Sequence, residues 1–64
     1  MQVKDKVIVV TGAGRGLGRA MATLFASKGA RVACVDLNET DVNDTVAACK
    51  SAGGDGKAYL ANVA

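Results

Sequence analysis

The run Val7-Ile8-Val9-Val10 is apolar at every position, with no alternation. A strand buried on one face alternates apolar and polar residues, whereas one buried on both faces, as in parallel sheets, does not. The run therefore predicts a doubly covered strand over 6–11. The period then changes. Leu17, Ala20, Met21, Leu24 and Phe25 fall at i, i+3, i+4, i+7 and i+8, one face of an α-helix, with Arg19, Thr23 and Ser27 mostly off it. A helix is expected over 17–28. Gly29 is its natural stop, and Lys28 sits where a cation suits the negative helix end. A second all-apolar run, Val32-Ala33-Cys34-Val35, predicts a strand over 31–36. Leu37-Asn38-Glu39-Thr40 reads as a loop that supplies the next helix cap. A helix over 41–52 follows on a thinner stripe, Val42, Val46 and Cys49. Gly53-Gly54-Asp55-Gly56 ends it, and a third strand is expected over 57–61. No internal repeat, low-complexity tract or linker is visible.

Strand and helix in strict alternation predict an α/β fold, a Rossmann-type β-α-β-α-β half with a parallel sheet of order 3-2-1. Both crossovers are right-handed and move the same way, so both helices lie on one face of the sheet. Yet the first two strands are apolar on both faces. One face, and the open edge of the first strand, are expected to lack a partner within these residues, and such surfaces promote association. The expectation is the N-terminal part of a longer, doubly wound domain, or a face covered by another chain.

Composition narrows the class. A chain of 64 residues is at most one small domain, here read as part of a single nucleotide-binding domain over 1–64. Half of its residues are hydrophobic, with one Tyr, one Phe and many small side chains, which suits close packing of helix on sheet. The net charge of +2 is mild, and no basic run is interleaved with aromatics, so nucleic-acid binding has little support. Cys34 and Cys49 lack CxxC spacing and the chain has no histidine, so they read as reduced core thiols and no metal site is expected. With no signal-peptide pattern and no segment of membrane-spanning length, the chain reads as cytoplasmic.

The candidate chemistry sits between the first strand and first helix. Thr11-Gly12-Ala13-Gly14-Arg15-Gly16-Leu17-Gly18 is a glycine-rich turn opening a helix, a place where unpaired N–H groups and the helix dipole suit a phosphate or pyrophosphate. A P-loop is excluded, because Gly18 is followed by Arg19-Ala20 and not by Lys-Ser or Lys-Thr. Strict G-x-G-x-x-G register also fails; Gly12, Gly16 and Gly18 give G-x-x-x-G-x-G. Gly12 permits the exit from the strand, Gly16 lets a pyrophosphate approach the backbone, and Gly18 lets the helix pack closely on the sheet. Leu17 can lend its N–H to a phosphate while its side chain packs inward. Thr11 is a strand terminus, or ties the turn to a neighbouring strand. Asp36 ends the second strand about 20 residues beyond the turn, the spacing of an acid that binds an adenosine ribose; the plainer reading is an Asp opening the turn through Leu37-Asn38.

The turn resembles the cofactor motif of the short-chain dehydrogenase/reductase family, T-G-x-x-x-G-x-G, and the resemblance runs over all 64 residues, with some likeness to 3-oxoacyl-[acyl-carrier-protein] reductases. It implies an NAD(P)-dependent oxidoreductase that moves a hydride between nicotinamide and a carbonyl or secondary alcohol of a small molecule. This segment would supply the adenosine and pyrophosphate site: Gly12, Gly14, Arg15, Gly16, Leu17, Gly18, Asp36, Leu37, Asn62 and Val63. The family usually has Asp-Val where this chain has Asn62-Val63, beside the adenine; Asn62 departs from it but keeps a donor and an acceptor, and also reads as a plain loop Asn. Arg15 occupies a position where similar NADP enzymes often carry a base. Asp36 would repel the extra phosphate, and NAD is favoured over NADP. The family's Ser, Asn and Tyr-x-x-x-Lys are absent: Tyr59 is followed four residues on by Val63, and reads as a packing residue of the third strand. No catalytic residue is expected here. The resemblance also implies a homo-oligomer, commonly a tetramer. Two other readings are a nucleotide-binding module without catalysis and a methyltransferase using S-adenosylmethionine; the strand ending in Thr11, not an acid, disfavours the latter.

Overall fold

A computed structural model of the chain describes residues 4–60. Five elements alternate: β1 (Val7–Thr11), α1 (Gly16–Ser27), β2 (Arg31–Asp36), α2 (Glu39–Ser51) and β3 (Asp55–Leu60). The strands form one parallel sheet in the order β1-β2-β3, the expected topology. Val7 pairs with Arg31, and Arg31 with Asp55, a spacing of 24 residues each time.

That constant spacing has a second expression. Both helices stop in the same way. Gly29 N donates to Ala26 O and Ala30 N to Phe25 O; 24 residues on, Gly53 N donates to Lys50 O and Gly54 N to Cys49 O. Gly29 and Gly53 both hold positive φ, so each helix closes in a Schellman turn that sends the chain straight into a strand. The fold thus contains a structural repeat that residue identities conceal. At the other end of α2, the Asn38 side chain accepts from Asp41 N at 2.9 Å, as the loop composition led one to expect. β3 starts two residues earlier than expected. Asp55-Gly56 resembles a turn, but Gly56 pairs with Val32, and its missing side chain lets α2 lie close: a Cβ there would be 3.2 Å from Cys49 Cβ.

Both helices cover one face of the sheet, on which Val10, Val32 and Cys34 are buried and Ile8 and Ala58 are partly covered. From α2 come Val42, Cys49 and the half-buried Val46, the expected stripe. The other face is bare. Val7 and Val9 are 68% and 64% exposed, and Tyr59 lies there with Lys57 Nζ 5.6 Å from its ring centroid. Tyr59 is therefore not a core packing residue within this chain. Arg31, Ala33 and Val35 continue the same bare face in register.

The larger correction concerns α1. Its buried residues are Ala22 and Ala26, while Leu17, at 77% exposed, and Leu24 and Met21 lie outside the core. The row Gly18, Ala22, Ala26 repeats at i, i+4 and i+8, a face with almost no side-chain height. It lets the helix backbone come down onto the end of β1: a Cβ on Gly18 would collide with the carbonyl of Gly12. A helix resting on Leu17, Met21 and Leu24 would stand several ångströms higher. The large residues instead flank β1's free edge, where Leu17, Met21 and Phe25 with Ile8, Val9 and Val10 line an open apolar groove.

Cys34 and Cys49 are free and fully buried. Burial pushes the Cys34 thiol up to about 12, with Cys49 beside it adding to the shift, and burial also raises Cys49. Both are protonated at neutral pH and pack as small apolar groups.

Gly18→Ala is expected to cost about 3 kcal/mol, because the obstacle is backbone and cannot move aside. Urea unfolding should show a lowered midpoint at unchanged slope. Ala22→Gly, which leaves the approach open, should cost only about 1 kcal/mol.

Candidate functional site

At the C-terminal end of the sheet, β1 runs into the glycine turn and β2 ends in Asp36. Ala13 N donates to Val35 O at 3.0 Å, which carries the β1–β2 ladder one step into the turn and buries Ala13. The next amide, Gly14 N, donates to Asp36 Oδ2 at 2.7 Å. Asp36 Oδ1 accepts from Leu37 N at 2.6 Å and from Asn38 N at 3.4 Å. A Cβ on Gly14 would strike Asp36 Oδ2 and lie 2.9 Å from Asp41 Cβ, so only glycine lets the carboxylate this close. The sequence reading of Asp36 as an acid beside the turn thus acquires a geometry: two elements far apart in the chain are joined by one charged hydrogen bond. The same carboxylate also opens the turn through Leu37-Asn38, so both readings of it describe the molecule.

These bonds set the charge state. The Gly14 amide, then the Leu37 amide, hold the Asp36 carboxyl below the usual carboxylate range; the Asn38 amide and the positive charge of Arg15 act in the same direction. Arg15 is 83% exposed, and its Nε lies 3.7 Å from Asp41 Oδ2. The one cation in the turn therefore faces two carboxylates, Asp36 and Asp41.

Gly12 and Gly16 hold φ of +66° and +65°, and a Cβ at either would meet nothing within 4 Å. The turn thus presents a backbone surface with free space in front of it. Arg15 occupies the N-cap position of α1 with extended φ and ψ and no side-chain cap bond, and no acid lies in the first turn. The first amides of α1 are left for another acceptor. Leu17 belongs to this opening by its backbone, but its side chain points to solvent and not inward. Thr11 closes β1 on the bare face of the sheet, paired with Val35. Leu37 is exposed beside Asp36. Asn62 and Val63 lie outside the described residues.

Two residues of this region carry no signal of their own in the sequence. Thr45, in the middle of α2, is completely buried, and its Oγ1 donates to Ala13 O at 2.7 Å. Arg19 donates from Nε to Thr45 Oγ1 at 3.0 Å and from Nη2 to Gly14 O at 2.6 Å and Asp41 O at 3.3 Å. A Thr off the apolar stripe of a helix and an Arg just past the turn read as solvated polar residues. Their role follows from α2 lying against the turn, which helix periodicity does not reveal.

The depressed Asp36 carboxyl fixes a pH dependence. The unfolded chain takes up the proton first, so the Asp36 contribution is complete above the ordinary carboxylate range and is lost as pH falls through the lower folded value. Unfolding midpoints followed from neutral pH to pH about 3 should fall less steeply for Asp36→Asn than for the native chain. Parallel curves would mean that the Gly14 bond does not form in solution.

Relatives of known class share this geometry. The pattern of the short chain dehydrogenase family matches residues 6–64. An uncharacterized oxidoreductase of Thermotoga maritima is 41% identical over 64 residues, covering all of this chain and 26% of the relative. An NAD-dependent glycerol dehydrogenase of Listeria innocua is 56% identical over 45 residues, 70% of this chain and 17% of that one. The crystal structure of a metagenomic short-chain oxidoreductase in complex with NADP superposes with a TM-score of 0.91 at 30% identity, covering 98% of this chain and 28% of that one. The chain thus spans about a quarter or less of the length of these relatives. With a β-α-β-α-β half, a T-G-x-x-x-G-x-G turn and a match over nearly its whole length, the chain belongs to the short-chain dehydrogenase family.

Proposed function

We propose that these residues form the adenosine and pyrophosphate part of an NAD(H) site, in an oxidoreductase that transfers a hydride between nicotinamide and a carbonyl or secondary alcohol. The observation that carries the proposal is the Asp36 carboxylate held against the glycine turn by Gly14 N. It places an ionised acid at the mouth of a turn whose outer surface is bare backbone. The space before Gly12 and Gly16 fits a pyrophosphate approaching the first amides of α1. Asp36, with Leu37 beside it, is the acceptor for the ribose hydroxyls, and Asn62 and Val63 are assigned to the adenine by resemblance. The cofactor, when bound, supplies or receives the hydride. This chain's residues bind and orient its adenosine end.

Charge supports NAD over NADP. A 2′-phosphate would enter beside Asp36, and the only nearby cation, Arg15, is shared with Asp41. The printed names of the relatives point both ways, one being NAD-dependent and one a complex with NADP, so the preference rests on these side chains. The proton-transfer groups of the reaction belong to a longer chain of the relatives' length. A cytoplasmic location and a homo-oligomer, commonly a tetramer, complete the proposal by family resemblance.

The test is titration of the natural-length protein with NADH and NADPH, followed by nicotinamide fluorescence. Asp36→Ala should narrow the NADH/NADPH affinity gap by about tenfold, and an unchanged ratio would sink the ribose assignment. Gly16→Asn keeps a residue that tolerates positive φ but fills the open space. It should weaken both dinucleotides by at least about tenfold while the unfolding midpoint stays nearly the same. Retained affinity would place the pyrophosphate elsewhere.

A further inference from the structure

Asp36 is held by a peptide whose other end is also held. In a trans peptide the C=O and N–H point in opposite directions across one rigid plane. The unit joining Ala13 to Gly14 has its carbonyl bound by Thr45 Oγ1 at 2.7 Å and its N–H bound to Asp36 Oδ2 at 2.7 Å. The next unit, Gly14 to Arg15, has its carbonyl bound by Arg19 Nη2 at 2.6 Å, which turns the Arg15 N–H away from α2. Thr45 has one hydroxyl proton. Because Arg19 Nε donates to the Thr45 oxygen at 3.0 Å, that proton is directed onward to a carbonyl, and Ala13 O is the nearest. The order is therefore Arg19 to Thr45 to Ala13 carbonyl, then through the peptide plane to Gly14 N–H and Asp36. Thr45 is fully buried, and its nearest other acceptors, Gly14 O and Asp41 O, stand at 3.2 Å.

We propose that Arg19 and Thr45 are positioning residues for dinucleotide preference: through the Ala13–Gly14 peptide they fix where the Asp36 carboxylate stands, and so how strictly it admits a free ribose and rejects a 2′-phosphate. This rests on the reading of Asp36 given above. An Asp36 released from Gly14 N would turn about its side-chain bonds, keep its bond to Leu37 N, and swing partly out of the path of a phosphate. Neither Arg19 nor Thr45 needs to touch the cofactor for this to occur.

The experiment uses the natural-length protein and measures Kd for NADH and NADPH in Thr45→Val, Thr45→Ser, Arg19→Met and Asp36→Ala. Thr45→Val removes the hydroxyl at nearly constant shape. It should narrow the NADH/NADPH preference by about fivefold, the worth of one hydrogen bond, and Thr45→Ser should restore it. Arg19→Met keeps the stem and removes the donors; it should narrow the ratio in the same direction, and it carries the test should Thr45→Val fail to fold. A lowered melting temperature with an unchanged ratio in both variants overturns the positioning role and leaves a structural one. If Asp36→Ala shifts the ratio and neither Thr45→Val nor Arg19→Met does, the reading of Asp36 stands and the inference falls. A native protein that binds neither dinucleotide overturns both.

Discussion

The contact on which the molecule depends is the approach of α1 to the end of β1. It is made of backbone, with Gly18 against the carbonyl of Gly12, and it continues along Ala22 and Ala26. Each of those residues contributes little apolar area. What they contribute is proximity, which lets the sheet-side core close over Val10, Val32 and Cys34. The same approach decides where the first amides of α1 stand relative to the turn. Packing and ligand geometry are one constraint here, because a helix lifted off the strand would carry its N-terminus away with it.

Electrostatics is arranged around that constraint. Asp36 lies on another element, yet its carboxylate is drawn into the turn by Gly14 N, and its charge is sustained by three amides and the neighbouring Arg15. On the far side of the same peptides, Thr45 and Arg19 hold the carbonyls. The turn is gripped from both sides and open on a third. Gripping the carbonyls inside and leaving amides outside is what an anion site made of backbone requires.

The order of elements was legible because strands buried on both faces and helices buried on one leave different periods, and the chain shows both within a few residues of each other. Asp36 was legible because spacing after a glycine turn is a local property. α1 was not read correctly, for a physical reason: hydrophobic scales rank Leu17, Met21 and Leu24 above alanine, whereas close helix–sheet contact selects the smallest side chains. The large stripe is real, but it borders the free edge of β1. Tyr59 was assigned to a core by the same logic and stands on the bare face beside Lys57. Thr45 and Arg19 escaped because their partners are backbone carbonyls, which have no signature in a sequence.

The repeat of 24 residues from Val7 to Arg31 to Asp55 makes the sheet a ruler against which length changes are measured. Each unit is a strand, a helix and a Schellman stop with almost no slack between them. A single residue lost between β2 and β3 has two exits. Taken up within α2, it rotates the helix by about 100° and turns Val42 and Thr45 off the core. Taken up in the ladder, it moves β3 by one place and swings Lys57 and Tyr59 under α2. Either way the damage is far larger than one side chain. This half of the domain is therefore free to vary in residue identity at its exposed positions, while its lengths are nearly fixed, and insertions are borne at the turns' outer rims.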